Sequence, residues 1–446
     1  MALGGGIWAA QNKVLPGTYI NFSSVAKASD TLSERGIAAM PLLLDWGGDG
    51  AIFSVTSEEF EKNSLRLFGH AYTDKAMLPL RELFKNARKL YAYRLNGGGE
   101  KAACTFCTAK RTGTAGNSLF VVVAANADDE NLFDVSLYFG AELLDRQTVA
   151  TAAALKDNDF VAWKTTASLA VSAKTPLTGG TNGTANAAAH QAFLNKLESY
   201  SFHTLGCPSD DSTTIKLYLN YTKRMRDEVG AKFQTVVFNL DSATKLADYE
   251  GVIELGSKAV DYDSSVPGLG QYGLVYWMTG ASAGCAVNKS NTNRLYDGEL
   301  TVDVDRTQAE LETALQNGRL MFHNVNGSVR VLEDVNSLTT LSETKGKVFR
   351  SNQTVRVCDQ IANDTAVLFN TRYLGTVPND AAGRIALWND VVKLHQALEA
   401  VRAIEDFDPD SVTVEQGETK KSVLCTVKNL NVVSAMAQLY MSVVIV

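Results

Sequence analysis

The sequence predicts a multi-domain protein of the mixed α/β (α+β) class, in which an α/β core is interrupted by an inserted antiparallel β-sandwich or barrel. Short runs of β-forming residues follow one another closely between about 100 and 174, whereas helical and strand patterns alternate from about 175 onward. A smaller C-terminal α/β domain and extended terminal arms complete the prediction. The predicted segments are an N-terminal arm (1–25), the core (26–99 and 175–345), the insert (100–174), the C-terminal domain (346–430) and a strand arm (431–446).

Length and composition exclude several classes of protein. The chain has 446 residues, of which 20% are charged, and its formal net charge is -7; this length suggests roughly two to four domains. Because no long Lys/Arg block occurs, nucleic acid is not an expected partner. We predict no signal peptide, no membrane insertion, no cofactor and no metal site. The six scattered cysteines indicate reduced thiols of a protein made in a cytoplasm.

The first part of the core and the insert show different patterns. An amphipathic helix is predicted around AMLPLRELFKNARKL (76–90), followed by the strand YAYRL (91–95) and a break at NGGG (96–99). Polar turns separate the predicted strands of the insert, which is typical of a small antiparallel sandwich. These strands are LFVVVAA (119–125), FDVSLYF (133–139), ELLDRQTVA (142–150), FVAWK (160–164) and LAVSA (169–173).

The second part of the core alternates helices with strands, which favours a layer of parallel strands covered by helices. The helix predicted at 185–200 carries Phe193, Leu194, Leu197 and Tyr200 on one face, and the strand FHTLGCP (202–208) follows it. A second helical stripe ends at Gly230, where a left-handed capping residue belongs, and the strand KFQTVVF (232–238) comes next. The stripe comprises Ile215, Tyr218, Leu219, Thr222, Met225 and Val229.

The rest of the chain predicts a hairpin and a last small unit. A helix at AELETALQNG (309–318) precedes two strand runs joined by Asn326 and Gly327, which is a strong signal for a type I′ turn. From about 346, two helical patterns flank LGTVPNDAAG (374–383). The strands SVTVEQ (411–416) and KSVLCTV (421–427) follow them.

One motif suggests catalysis. GASAG (280–284) fits the G-x-S-x-G nucleophile elbow, with Ser282 as the nucleophile, and Asp303 or Asp305 and then His323 follow in the order of an α/β hydrolase triad. The elbow needs a strand that ends at the serine and a helix that begins there. LVYWMTGASAGCAV (274–287) also reads as one buried helix whose small residues allow close packing. The alternative function is therefore a serine hydrolase that uses these residues.

Three further motifs have a functional and a structural reading. Cys104 and Cys107 form a single CxxC in a β-like context, which could serve redox or metal chemistry or be an ordinary pair of thiols. LTGGTNG (177–183) could cradle a phosphate ahead of a helix, but a tight turn between domains is the simpler reading. RMRDE (224–228) is interpreted as a solvated helix face or as an ion-pair patch between subunits.

The last 18 residues of the chain, 429–446, contain no charge and end in a β-branched run. An exposed apolar strand edge recruits other chains, so a tail of this composition needs a partner strand. That partner is either a sheet of its own C-terminal domain or a sheet of a neighbouring molecule.

The order of the elements and several short strings resemble the contractile phage tail sheath family, in the type carried by Gram-positive myophages and phage-like elements. The resemblance extends over essentially the whole chain, and the ordered set of strings is specific although each string is weak alone. The strings are LPGTYINF, LTGGTNG, HQAFLNKLE, TKRMRDEVGAKFQTVVF, WMTGASAGCAVNKSNTNRLYDG, VLEDVNSLTT, VRVCDQIANDT, YLGTVPNDAAGR and MAQLYMSVVIV.

The resemblance implies a structural subunit without catalytic residues. Such proteins stack as hexameric rings around a tail tube and contract to drive the tube through the host envelope. The implied partners are further copies of the chain, the tail tube protein, and the baseplate and tail terminator proteins. The implied location is the virion tail, assembled in the host cytoplasm, with an outward-facing insert and a tube-facing C-terminal domain.

The resemblance also implies which residues meet other subunits. Family members exchange strands through both termini, a form of β-augmentation. The N-terminal arm residues with strand character are Tyr19, Ile20 and Phe22. The C-terminal ones are Leu439, Tyr440, Met441, Val443 and Ile445. The candidate tube-facing residues lie on the helix predicted at 381–401 and are Arg384, Trp388 and Lys393.

Overall fold

The computed structural model describes residues 32–240 and 244–445. Tyr19, Ile20 and Phe22 of the predicted N-terminal arm lie outside these ranges. The chain forms two compact units, one of residues 34–360 with 432–445 and one of residues 361–431 with 32–33. The α-helices are α1 (Ser57–Phe68), α2 (Leu78–Phe84), α3 (Ala187–Leu197), α4 (Ser212–Arg224), α5 (Leu274–Gly284), α6 (Gln308–Gln316), α7 (Asn352–Leu368) and α8 (Ala381–Ala400). No helix within the described ranges is both long and apolar enough to cross a bilayer.

Short strands make up most of the remaining regular structure. Those of the first part of the core and the insert are β1 (Ile37–Leu42), β2 (Phe53–Thr56), β3 (Lys89–Arg94), β4 (Cys107–Ala109), β5 (Leu119–Ala125), β6 (Phe133–Phe139), β7 (Glu142–Val149), β8 (Val161–Trp163) and β9 (Ser172–Pro176). Those that follow are β10 (Thr204–Cys207), β11 (Gln234–Phe238), β12 (Val252–Leu255), β13 (Ala259–Val260), β14 (Thr301–Val302), β15 (Arg319–Leu320), β16 (Phe322–Val325), β17 (Ser328–Val331), β18 (Ile404–Glu405), β19 (Val412–Gln416), β20 (Val423–Val427) and β21 (Asn431–Val432).

The first unit is built on a seven-stranded sheet with the order β15-β12-β11-β10-β1-β3-β2. All neighbouring strands run parallel except β2, which pairs with β3 in the antiparallel direction. Because β1 precedes the insert and β10 follows it, the pairing of Ala38 with Thr204 joins the two parts of the core across the insert. The predicted interrupted α/β core is confirmed.

Helices cover both faces of this sheet, as a parallel sheet requires. Successive strand residues point to opposite faces, so Ala38 and Met40 pack into one core while Ala39 packs into the other. The first core receives α1, α2 and α5, and the second receives α3 and α4. Phe193, Leu194 and Leu197 of α3 are fully buried, as the stripe predicted.

Helix α4 ends close to the predicted position. Its buried stripe continues through a π-helical turn (Met225–Val229), and Gly230 then takes a left-handed conformation with φ 92°. The capping prediction for Gly230 is confirmed. Val229 and Tyr200, by contrast, are 57% and 38% exposed, so neither residue is part of the core.

The GASAG segment lies inside helix α5, where Leu274 to Ala283 are all buried. A β-carbon on Gly280 would come within 2.2 Å of the Leu83 carbonyl oxygen, and one on Gly284 within 2.0 Å of the Asn86 carbonyl oxygen. The small residues therefore let α5 approach α2 and its C-terminal turn at backbone distance. The close-packing interpretation of this segment is confirmed.

The insert is antiparallel throughout. Its four-stranded sheet has the order β7-β6-β5-β9, and β4 and β8 form a second pair. Leu119, Val121, Leu137 and Val161 are fully buried between these strands. The last strand starts at Ser172 rather than at Leu169, because Leu169 packs against this core from outside the sheet.

The second unit holds the C-terminal part of α7, a π-helical turn (Phe369–Tyr373), α8 and the hairpin β19–β20. Its core is small. It consists of Leu368, Tyr373, Leu387, Val391, Val392 and Val412, with Trp388 and Phe407 packed against it. The two helices and two strands predicted for this region are confirmed.

Two further elements bear on the sequence predictions. The hairpin β16–β17 turns through Asn326 at φ 50° and Gly327 at φ 83°, which are the left-handed values of a type I′ turn. Helix α1 was not predicted, although Thr56 and Glu59 form a capping box at its start.

Candidate assembly surfaces

The C-terminal tail is an apolar segment whose large side chains are exposed to solvent. Within the described residues, none of 433–445 belongs to a strand. The backbone N–H of Ala435 donates to Gln353 Oε1 at 3.0 Å, and the large side chains beyond this point are solvent-exposed. Their exposed fractions are 101% for Met436, 85% for Leu439, 87% for Tyr440, 76% for Met441, 70% for Val443, 84% for Val444 and 92% for Ile445.

This exposure separates the two readings of the tail. A strand that closed a sheet of its own domain would bury alternate side chains, and residues 436–445 bury neither set. Ten residues of extended chain reach at most about 35 Å. Among the residues that the structure describes, no strand pairs with this long, uncharged segment, and such a segment is a template for another chain.

The hairpin β19–β20 of the second unit pairs with no third strand among the described residues. Val412 pairs with Val427 and Gln416 with Val423, and the two strands form a sheet of their own within the described residues. Trp388 Nε1 donates to the Val412 carbonyl oxygen at 2.9 Å, which holds the hairpin to helix α8. Leu424 is 55% exposed. The hairpin can accept a strand on an edge.

Helix α8 carries the three candidate tube-facing residues, which differ in their burial and in their contacts within the subunit. Trp388 is half-buried in the core of its unit and bonded to Val412. Arg384 donates to the carbonyl and side-chain oxygens of Asn379 at 3.2 and 3.1 Å. Lys393 is exposed and lies 3.8 Å from the Asp390 carboxylate. That these residues face a tube stays a prediction.

Sequence reasoning missed an exposed apolar patch beside α8. Leu374 and Ile385 are each 61% exposed, and Val377 is 37% exposed. Leu374 and Val377 line a groove of about 90 Å³ together with Arg384 and Lys421. A partner surface could bury these side chains. Their exposure is visible only in the three-dimensional structure, because the sequence does not show that they lie outside the core.

The structure contradicts the serine hydrolase arrangement. Ser282 lies within α5 at 1% exposure, and its hydroxyl has no hydrogen-bond partner among the described residues. No strand ends at this residue, so the strained turn of a nucleophile elbow is missing. Asp303 is bound to Arg306 at 3.1 Å, and His323 pairs with Arg330 across the hairpin β16–β17. Asp305 is exposed.

The interpretation of residues 224–228 as a solvated face or an inter-subunit patch is wrong for its central residue. Arg226 is 4% exposed and binds Asp359 in a bidentate pair with distances of 2.6 and 2.8 Å. Burial lowers the pKa of Arg226, but the charge of Asp359 outweighs this effect and raises it. A second buried pair joins Arg356 to Asp334 at 2.7 Å. Both pairs tie the first half of α7 to the core.

Models of phage tail sheath proteins match consecutive parts of the chain. They are described as the Gp18 domain III N-terminal region (35–95), the beta-sandwich domain (96–182), the central domain (183–337) and the C-terminal domain (344–446). The phage-like element PBSX protein XkdK of Bacillus subtilis (strain 168) is 30% identical over 455 residues, which cover 94% of this chain and 95% of that protein. The chain belongs to the contractile phage tail sheath family.

Solved sheath structures agree with this assignment. The crystal structure of a sheath tail protein from Desulfitobacterium hafniense has a TM-score of 0.77 and 34% identity, covering 90% of this chain and 93% of that one. The helical sheath of the anti-feeding prophage in its contracted state shares the fold, with a TM-score of 0.53, 12% identity and coverage of 97% and 99%. This sheath protein is a structural subunit of a contractile tail, and it works as part of an oligomer.

Proposed function

We propose that the subunits form hexameric rings stacked around a tail tube, and that contraction of this lattice drives the tube through the host envelope. The observation that supports the proposal is the uncharged, exposed tail at 436–445, together with a hairpin in the second unit that has no third strand among the described residues. A lattice that rotates its subunits by large amounts needs joints that survive the motion. Main-chain hydrogen bonds of an added strand provide such joints, while rigid-body contacts change.

The tail would act as a donated strand. Alternate residues of a strand point to opposite sides, so one set would face the acceptor core and the other would remain outside. Burying the four side chains of the wholly apolar set at roughly 1.5 to 3 kcal/mol each gives on the order of 10 kcal/mol before ordering costs. The two sets are Leu439, Met441, Val443 and Ile445 on one side, and Tyr440, Ser442, Val444 and Val446 on the other.

The acceptor would be β19–β20 of a neighbouring subunit. Among the described residues its two strands pair only with each other, and Leu424 provides exposed apolar surface on the hairpin. The residues Tyr19, Ile20 and Phe22 would donate a second strand in the same way. The donated strand would begin before or after Tyr440, depending on how many residues of the acceptor edge pair with it.

The proposal also assigns positions and partners. We keep the domain boundaries of the sequence prediction, with the insert (100–174) facing outward and the C-terminal domain (346–430) facing the tube. Arg384, Trp388 and Lys393 of α8 would contact the tube protein, and the exposed Ile385 of the same helix would add apolar surface to this contact. Baseplate and tail terminator proteins would bind the two ends of the sheath, and assembly would take place in the host cytoplasm. The subunit would catalyse no reaction, so a serine-directed probe should leave Ser282 unlabelled.

Deletion of residues 436–446 tests the proposal. The full-length protein, alone or with its tube protein, should sediment as rings or tubes that are visible by electron microscopy, and the truncated protein should remain soluble. Val443→Pro, which removes a strand N–H, should weaken assembly, while the control Val443→Thr keeps strand propensity and should assemble. Tubes formed by the truncated chain at equal yield would contradict strand donation.

A further inference from the structure

The turn between residues 104 and 107 of the insert brings two sulfur atoms together. The backbone N–H of Cys104 donates to the carbonyl oxygen of Cys107 at 2.9 Å, and Ala103 and Thr108 form the next bridge of this small hairpin. The two Sγ atoms lie 3.7 Å apart. Both side chains therefore project to the same side of a turn that the backbone already closes.

The two thiols differ in access. Cys107 is fully buried in the core of the insert, whereas Cys104 is only partly buried at its margin. A reagent from solution can reach the sulfur of Cys104 first. Cys107 lies behind it, within reach of that sulfur.

The surroundings also activate Cys104. A hydrogen bond from the Cys107 thiol, the backbone N–H groups of Phe106 and Cys107, and the nearby Lys164 ammonium lower the pKa of the Cys104 thiol to about 6, although burial opposes this. The same hydrogen bond, together with burial, raises the pKa of Cys107. The lowered pKa favours the thiolate form of the more accessible sulfur, and the thiolate is the form that reacts in thiol–disulfide exchange.

We propose that Cys104 and Cys107 are a redox-active pair that closes to an intramolecular disulfide by exchange with a small-molecule disulfide. The Cys104 thiolate attacks one sulfur of the reagent, forms a mixed disulfide and releases one thiolate. Cys107 then gives up its proton and attacks the Cys104 sulfur, which releases the second thiolate. Two protein thiols are oxidised and one small disulfide is reduced to two thiols. Once Cys104 is in the mixed disulfide it no longer accepts the Cys107 hydrogen bond, so the largest cause that raises the pKa of Cys107 is gone.

The other cysteines of the chain have thiols whose pKa is raised, in contrast to that of Cys104. Burial raises the pKa of Cys207, Cys285 and Cys358, the last to about 11. Cys425 is exposed but its pKa is also raised by burial of part of the side chain. The proposal rests on the insert alone, so it holds or fails independently of the sheath function.

The tryptic peptide of residues 102–110 contains both cysteines, because Lys101 precedes it and Lys110 ends it. The full-length protein is incubated at pH 7 with oxidised glutathione, quenched with acid, alkylated and digested. Mass spectrometry should find this peptide unalkylated and lighter by two hydrogen atoms, and dithiothreitol should restore two alkylation sites. A peptide that stays fully alkylated while Cys425 carries glutathione would overturn the proposal.

Single substitutions test the order of the two steps. Cys107→Ser should stop at a glutathione adduct on Cys104, and Cys104→Ser should lose the reaction at this peptide. The matched control Cys425→Ser should form the 104–107 disulfide at the wild-type rate. Equal reaction of Cys107 in the Cys104→Ser protein would contradict the assigned roles, since the buried thiol would then need no activated neighbour.

Discussion

At the level of single residues, the structure buries ion pairs whose charged residues the sequence pattern would place on the surface. Arg226 follows a helical stripe among charged neighbours, which is typical of a solvated face, yet its guanidinium is buried against Asp359. The partner lies 133 residues away in sequence, so no local pattern could show it. The same applies to Arg356 and Asp334. Once a charged side chain is known to be buried, physical chemistry predicts that it has a partner of opposite charge. The sequence alone does not show which charged residues are buried.

Asp359→Asn should destabilise the first unit strongly. The substitution removes the counter-charge of Arg226 and leaves a buried guanidinium without compensation, which costs about 3 to 5 kcal/mol in comparable pairs. Urea unfolding followed by tryptophan fluorescence measures the loss. The control Glu58→Gln removes one partner of the exposed pair with Lys62 and should leave the midpoint unchanged. Equal stability of the two variants would show that the buried pair contributes little.

His203 should make the protein sensitive to acid. Burial, assisted by the charges of Arg35 and Arg88, lowers its pKa from 6.5 to about 3. The Ile37 N–H donates to its Nδ1 at 3.2 Å, a hydrogen bond that requires this ring nitrogen to be unprotonated. Between these two pKa values the unfolded chain binds a proton at His203 that the folded chain does not bind. The free energy of unfolding therefore falls as the pH drops from about 6.5 toward about 3. At pH 5 this effect is about 2 kcal/mol.

His203→Asn keeps an acceptor for Ile37 but cannot titrate. Its free energy of unfolding should therefore change less between pH 7.5 and pH 5 than that of the wild type, by about 2 kcal/mol. The comparison of the two pH values cancels the cost of the substitution itself. An identical pH dependence in both proteins would rule out a buried neutral His203.

At the scale of elements, periodic patterns gave the right helices and strands where one face is buried. The stripes of α3 and α4 and the type I′ turn at Asn326 and Gly327 follow directly from side-chain spacing and backbone preference. Patterns failed where tertiary packing decides. Leu169 looks like the start of a strand, but it packs against the core of the insert from a loop. Helix α1 was not predicted, because its buried stripe consists of only Phe60, Ser64 and Phe68 among many charged residues.

The GASAG segment offers a clean test of packing against catalysis. Gly280→Ala should destabilise the protein by about 1 to 3 kcal/mol, because the added β-carbon meets the Leu83 carbonyl oxygen at 2.2 Å and forces α5 away from α2. Ser282→Ala should be neutral or slightly stabilising, because it removes a buried hydroxyl with no partner among the described residues. Thermal unfolding of both variants measures the difference. A stable Gly280→Ala protein would contradict backbone-distance packing.

At the scale of the whole molecule, the interrupted core follows from the sequence, whereas the assembly surfaces follow only in part. The change from closely spaced strands to alternating helices and strands predicts an insert, and the pairing of β1 with β10 confirms it. The uncharged tail predicts a partner strand but does not identify it. The exposed patch of Leu374, Val377 and Ile385 has no signal in the sequence, since apolar residues beside a helix normally indicate a core.

The most direct test of the central claim is a cryo-electron microscopy map of tubes assembled from the full-length protein. If the tail is a donated strand, residues 436–445 should appear as a strand along an edge of the hairpin β19–β20 of a neighbouring subunit, with their main chain hydrogen-bonded to that edge. The subunits should form sixfold rings. A map in which these residues fold back onto their own subunit, or in which the hairpin edges remain unpaired within intact tubes, would contradict the claim.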